Sequence, residues 1–349
     1  MNYLKTIFIL GLFIFPQSLF GADLKIAFFA SSSENGYNQA TWEGVKDAAA
    51  EAGGVDVSIF NGEFSATLQY GQIEDIIASQ EFDGFVVVPN DSTGIAGAIE
   101  QAIAAGIKVA TSLFPIGPDL TILEPQVEGL TATAAGSPAY GAALQANAVV
   151  DYCKNKNPCN TIILIGQKIY PFDKLRYDTY LDVLGKESNI KIVATVEGNY
   201  SPDVSLTGMT DALQAAKDVH VVLSNADQHL LGAEIALADA GYNVADLYLM
   251  GGGAAEVAID AINAGQWDAT FIGVPYSEGY LAAEAVIKAL RGEVVNPVID
   301  ITKREIGGID PIITKEVLDA NPNWKAEWGG WYINIKYYIK FNYVWGVYK

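Results

Sequence analysis

The residues that follow the apolar runs of the sequence are amides, carboxylates and aromatics, a set suited to holding a solute rather than breaking a bond. Asn35, Tyr37 and Asn38 follow KIAFFA, and Phe64 follows VDVSIF. Asn90 and Asp91 follow GFVVV, and Ser112 and Phe114 follow KVAT. In the second half, the stretch 167–173 follows TIILI, Tyr200 follows KIVATV, and Asn225 and Asp227 follow HVVL. Gly253 closes the triple glycine after LYLM, and Tyr276 follows TFIGVP. Flat side chains stack on a ring, while amides and acids grip its polar edge. Each hydrogen bond left unmet in such a desolvated site costs about 1–3 kcal/mol, so the set can discriminate. A single Asn or Asp after a strand is an ordinary turn or cap residue, and Asp91 in PNDSTG reads as a helix cap. The joint pattern carries the argument.

Catalytic constellations are missing. The two histidines, His220 and His229, have no serine or cysteine motif beside them, and GxSxG, HExxH and P-loop patterns do not occur. The sequence therefore reads as a non-enzyme with no cofactor and no metal; His229, in NADQHLLGA, would be the first residue to test otherwise.

Elements must place these residues together. Nine β-rich runs recur along the body: 25–30, 55–60, 84–88, 108–111, 161–165, 191–196, 220–223, 247–250 and 270–273. Their continuous Val/Ile/Leu/Phe content suits parallel strands covered on both faces. Ala-rich helical stretches such as GIAGAIEQAIAAG and YLAAEAVIKALRG lie between them and close at Gly. In open α/β sheets ligands sit outside the carboxyl ends of the strands, where the polar residues gather. FDGFVVVPND with its helix is echoed by DVHVVLSNAD with its own, a repeat of halves. The fold expected is α/β, with two Rossmann-like, doubly wound parallel sheets. A single eight-stranded barrel is the alternative.

Composition bounds the rest. The chain has 349 residues and a formal net charge of −20, which repels nucleic acid and anionic membranes. MNYLKTIFILGLFIFPQSLFGA, with Lys5, a short apolar run and small residues at its end, reads as a signal peptide over 1–22. The only two cysteines, Cys153 and Cys159, are separated by five residues; in an exported chain that spacing reads as a small-loop disulfide. The last nineteen residues, WYINIKYYIKFNYVWGVYK, are aromatic and basic and contain no acid. They read as an extension foreign to the body, over 331–349, with a membrane-surface segment as the alternative, and no function is placed on them.

KIAFFASSSENGYNQATWEGVKDAAAEAG, FDGFVVVPNDSTGIAGAIEQAIAAGIKVA, VVLSNADQHLLGAEIALADAG and WDATFIGVPYSEGYLAAEAVIKALRGE, in that order, resemble the type I periplasmic solute-binding proteins of ABC importers. The likeness is to the cluster of ribose, galactose and allose binders. It implies two lobes joined by a three-crossover hinge, 23–133 plus 275–300 and 134–274 plus 301–330. It also implies a periplasmic monomer that captures a small neutral carbohydrate-like solute, a sugar or polyol, and delivers it to an inner-membrane ABC permease with its ATPase. A ligand sensor for a chemoreceptor or histidine kinase, and a binder of a non-sugar ligand, are the alternatives. By the resemblance Asn35 and Tyr37 match a first-loop amide and stacking aromatic, with Asn38 where ribose binders carry a second aromatic. Tyr200 matches an aromatic of the second lobe, Lys174 or Arg176 in FDKLRYDTY a ligand-binding arginine, and Asn225 with Asp227 brackets an amide. Ser112 with Phe114, Gly253 and Gly273 stand where hydroxyl-gripping residues occur in the family. Those departures point away from ribose itself, toward another sugar, a polyol or a less hydroxylated ligand.

Overall fold

The β-branched and aromatic runs become strands because both of their faces are covered. Ile26, Phe28, Phe29, Phe85, Val86 and Val87 are completely buried in one sheet, and Ile162–Ile165 and Val221–Leu223 in another. The computed structural model describes residues 24–329. The expected signal peptide and the 331–349 tail lie outside the described residues.

In chain order the elements are β1 (Leu24–Ala30), α1 (Gly36–Ala52), β2 (Val55–Asn61), α2 (Ala66–Ser79), β3 (Gly84–Val87), α3 (Ala96–Ala104), β4 (Lys108–Leu113) and β5 (Ala132–Ala135). There follow α4 (Pro138–Cys153), β6 (Cys159–Ile165), α5 (Pro171–Leu184), β7 (Ile190–Glu197), α6 (Pro202–Ala215), β8 (Val221–Ser224), α7 (Asp227–Asp239) and β9 (Tyr248–Gly252). The last are α8 (Glu256–Asn263), β10 (Ala269–Phe271), α9 (Pro275–Leu290), β11 (Val298–Asp300), α10 (Arg304–Gly307), β12 (Ile312–Thr314) and α11 (Lys315–Ala320).

Two six-stranded open sheets form, ordered β11-β5-β4-β3-β1-β2 and β12-β10-β9-β8-β6-β7. All strand pairs are parallel except β10 with β12. The doubly wound α/β architecture is therefore as expected, and the barrel alternative is overturned by two sheets that each end in edge strands. The chain crosses between the sheets after β5, after β10 and after β11. β5 belongs to the first sheet through Ala135, and α9 returns to cover that sheet against α1.

The α1–α9 contact is made backbone to backbone. A Cβ on Gly44 would lie 2.0 Å from the Tyr276 carbonyl oxygen, and one on Gly279 2.1 Å from that of Thr41. The second body repeats the device: a Cβ on Gly232 of α7 would lie 2.0 Å from Pro202 O at the start of α6. Cys153 and Cys159 are joined as expected, tying the end of α4 to the start of β6.

Candidate functional site

The carboxyl ends of the two sheets face a common cavity of ≈ 100 Å³, lined from both sides. Its geometry begins with two loops of matching design. NGEFS after β2 and EGNYS after β7 each place a residue pair at positive φ: Glu63 and Phe64 at 50° and 52°, Asn199 and Tyr200 at 51° and 56°. Bulky residues rarely adopt this left-handed region, and such departures concentrate where a fold holds side chains for function. Ser65 and Ser201 then cap α2 and α6 in the same way. The result sets Phe64 and Tyr200 parallel across the cleft, ring centroids 5.9 Å apart.

A second pair closes beside it. Phe114, from the end of β4, stacks on Phe172 of α5 at 4.1 Å, and the Arg176 guanidinium lies 4.9 Å from the Phe114 ring. The Tyr170 hydroxyl donates to the Phe64 carbonyl oxygen, another link between the two sides. Burying an aromatic pair of this kind contributes about 0.5–1.5 kcal/mol beyond its area.

Asp173 organises the polar wall. It is fully buried, and its Oδ1 accepts from the Tyr200 hydroxyl at 2.6 Å and the Asn225 amide at 3.0 Å, with Arg176 at 3.4 Å. Its Oδ2 accepts from the Gln167 backbone at 2.7 Å. Burial raises the Asp173 pKa from its ordinary value, against the pull of Arg176 and these hydrogen bonds. His229 supports the same wall from behind. Its Nε2 accepts from the Tyr200 backbone N–H at 2.8 Å, so the ring carries its proton on Nδ1, toward Ser224 Oγ. Burial lowers the His229 pKa to about 3, which keeps it neutral. That holds Tyr200 in its unusual backbone conformation and leaves Nε2 no free lone pair for a base.

The first loop is shaped by capping. The Asn35 side chain accepts from the backbone N–H groups of Tyr37 and Asn38, starting α1. Tyr37 donates to Glu278 Oε1 at 2.5 Å, and Asn38 Oδ1 accepts from Ser31. Burial pushes the Glu278 carboxyl up to about 8 and the neighbouring Glu327 up to about 7. Glu327 accepts from the Ser277 backbone and hydroxyl at the start of α9, and the next residue, Trp328, lines the cavity. The Trp328 ring meets Tyr37 edge-on at 5.4 Å, and its Nε1 donates to Gly253 O at 2.5 Å.

These acids give a pH dependence. Unfolding releases Glu278 and Glu327 to ordinary carboxyl values near 4.5, so the unfolded chain loses those protons first. The stability they contribute is full below about pH 4.5 and disappears as pH rises through 7 and 8. His229 acts oppositely, its contribution fading as pH falls from 6.5 toward 3. Urea unfolding should show a stability lower at about pH 8 than at about pH 6 by on the order of 2–3 kcal/mol. Glu278→Gln should flatten that difference; an unchanged profile would show that Glu278 is not the group responsible.

Of the residues singled out in the sequence, Asn35, Tyr37, Asn38, Phe64 and Asn90 line the cavity from the first sheet, with Phe114. Arg176, Tyr200, Asn225 and Gly253 line it from the second. Five lie elsewhere. Asp91 is taken up in capping, accepting from the N–H groups of Thr93 and Gly94 at 3.0 and 2.8 Å. Ser112 is completely buried in β4, and the neighbouring Leu113 faces the cavity instead. Lys174 is on the exposed side of α5, paired with Asp178 at 2.6 Å; of the alternatives Lys174 and Arg176, the helix turns Arg176 inward. Asp227 is buried beneath the Gly252–Gly253 turn, accepting from Ala255 N and from the Thr270 hydroxyl, each at 2.8 Å. Tyr276 ties α9 to α1 through Asp47 at 2.8 Å.

Sequence reading overlooked Asp173 and Phe172, although the loop from Gln167 to Asp173 had drawn notice. It also overlooked Gln145, whose signal was only a polar residue on the buried stripe of Ala-rich α4, and Trp328, which follows no strand. Among the described residues no group of three potential ligands could hold a metal.

A family model described as periplasmic binding protein domain matches residues 26–293. A putative rhizopine-binding protein of Rhizobium meliloti is 26% identical over 255 residues, covering 72% of this chain and 80% of that protein. The ribose import binding protein of Bacillus subtilis is 24% identical over 277 residues, 79% of this chain and 85% of its own. Among solved structures, an ABC transporter solute-binding protein from Mycobacterium smegmatis with bound glycerol is 25% identical, with a TM-score of 0.73 over 88% of this chain and 99% of that one. The Caulobacter myo-inositol binding protein, bound to myo-inositol, shares the fold at 20% identity and a TM-score of 0.73, covering 86% and 96%.

Proposed function

Because the chain belongs to the periplasmic binding protein domain family, we propose that it is the solute receptor of an ABC importer, capturing a small neutral sugar or polyol between two closing bodies. The observation that carries this reading is the pair of aromatic contacts made across the cleft, Phe64 with Tyr200 and Phe114 with Phe172. Each pair takes one ring from either side, so it forms only when the cleft is shut. A ring solute held there is removed from water, and the closed outline is what an inner-membrane permease with its ATPase would recognise. Binding needs no bond to break, and the one buried histidine near the site has its lone pair engaged. The disulfide fits an oxidising compartment such as the periplasm.

Asn225, Arg176 and Tyr200 make up the polar wall in this reading, and Asp173 positions them. The solved and named relatives supply the first compounds to try: D-allose, myo-inositol, glycerol, D-fucose and ribose. The test is whether any of them shortens the distance across the cleft, measured between labels on its two sides.

A further inference from the structure

Gly253 and Gly273 leave a gap in the wall of the cavity, and a residue from the far end of the described chain fills it. Both glycines line the cavity, as does Trp328. A Cβ on Gly253, where φ is +117°, would stand 2.8 Å from the Trp328 ring. One on Gly273 would stand 2.5 Å from Gly253 O and 2.9 Å from the Tyr37 ring. A side chain at either position would displace the corner that Trp328 and Tyr37 build edge-on.

The indole is placed by a strap, residues 321–329, that follows α11. Trp324 roots the strap in the second body: it belongs to that body's core, and its Nε1 donates to Gly307 O at 2.8 Å. From there the strap meets the N-termini of two helices, neither of them capped by its own flanking side chain. The first N–H of α8, from Glu256, donates to the Trp328 carbonyl oxygen at 2.9 Å. In the first turn of α9, the Ser277 N–H donates to Glu327 Oε2 at 2.9 Å, and the Ser277 hydroxyl donates to Oε1. N–H groups at a helix start have no partner within the helix and favour a carboxylate. A distant segment thus supplies the caps that the local sequence omits. Because α8 packs in the second body and α9 on the first, the strap is a non-covalent link beside the three crossovers. The next residue of α9, Glu278, holds Tyr37, so one helix turn fixes both rings of the corner.

Resting on the reading of this cleft as a solute site, we infer that Trp328 is a specificity-determining residue of that site and Glu327 its positioning residue. The indole touches the solute and sets how much room is offered beside Gly253 and Gly273. Its Nε1 is committed to Gly253 O, so it contributes shape rather than a hydrogen bond. A solute too bulky for that corner is refused, and the refusal depends on a strap held at both ends.

Fluorine NMR of the intact protein labelled with 5-fluorotryptophan, combined with calorimetric titration, tests this. D-allose, myo-inositol, D-fucose, ribose and glycerol are the probes. The signal that vanishes in Trp328→Phe is the one to follow, and saturation with any compound that binds should move it. Trp328→Ala widens the corner, so it should shift the preference toward the bulkier compounds by about tenfold or more. Trp328→Phe, which keeps a ring against Tyr37, should shift it the same way by less, and gives the readout should the alanine variant fail to fold. Glu327→Ala should reproduce the shift although the indole is intact. Glu327→Gln, which keeps an acceptor for Ser277, should largely restore the parent order. If compounds bind but the Trp328 signal stays in place, or the Trp328 variants keep the parent order of affinities, the inference falls while the solute reading stands. If no compound binds, both fall.

Discussion

Replacing Asp173 with alanine should remove solute binding and destabilise the fold by about 3–5 kcal/mol, the cost of breaking a buried charge pair from one side. The change leaves the Tyr200 hydroxyl, the Asn225 amide and the Gln167 N–H without their shared acceptor. It also leaves the Arg176 guanidinium, whose side chain is 17% exposed, without its carboxylate. Because three cavity-lining residues depend on this one group, affinity should drop by more than a hundredfold even where folding is retained. Asp173→Asn keeps the shape and one acceptor, so it should fold better than the alanine variant while still binding weakly. Urea unfolding combined with equilibrium titration separates the two effects. An alanine variant that binds as well as the parent would show that the network does not position the site.

Gly44→Ala should be the most damaging single-methyl change in the first body. The added Cβ would stand 2.0 Å from the Tyr276 carbonyl oxygen and 2.7 Å from the Tyr280 nitrogen, both main-chain atoms of α9. Side chains can rotate away from an intruding methyl, but a helix backbone must move as a unit. The loss should therefore reach or exceed the upper end of ordinary overpacking, about 3 kcal/mol. The displacement would carry with it Glu278, which holds Tyr37, and Ser277, which holds Glu327. Gly71→Ala is the control: it is mid-helix in α2 with nothing within 4 Å of the new methyl, so it should be neutral or stabilising by about 0.5–1 kcal/mol. Thermal unfolding followed by circular dichroism would reveal the contrast. Equal midpoints for the two variants would refute the close-packing argument.

The nine strand-like runs foreseen in the sequence are β1–β4 and β6–β10. They were legible because burial on both faces demands an unbroken apolar run. β5 was not, since ATAA has small residues and no helix directly before it, and β11 and β12 are only three residues each. Their pairing is set by the crossovers, which no local pattern encodes. Tyr37, Phe64, Phe114 and Tyr200 were legible for a topological reason: a parallel sheet puts every strand's carboxyl end on one edge.

The polar half was legible only in part. Asn225 and Asp227 are two residues apart after the same strand, yet one lines the cavity and the other lies beneath it. Lys174 and Arg176, two apart on a helix, fall on opposite faces. A one-residue rotation decides such cases, and composition does not record it. Asp173 has the outward marks of a helix-start acid, and only the tertiary structure brings Tyr200 and Asn225 to it. Trp328 comes from the segment after the last crossover, beyond any strand–helix repeat, and reaches the cavity because Glu327 fastens that segment to α9.

The central claim is that a solute is held between two bodies that close on it, and the distance across the cleft tests it most directly. Both native cysteines are in the disulfide, so spin labels can be placed specifically at Thr67→Cys in α2 and Ile169→Cys beside Tyr170, both exposed positions. Pulsed dipolar spectroscopy is then run without solute and with each of D-allose, myo-inositol, glycerol, D-fucose and ribose. A binding compound should collapse a broad, longer distribution into a single short distance, and Asp173→Ala should abolish the collapse. A distribution that stays the same with every compound at saturating concentration would contradict the account.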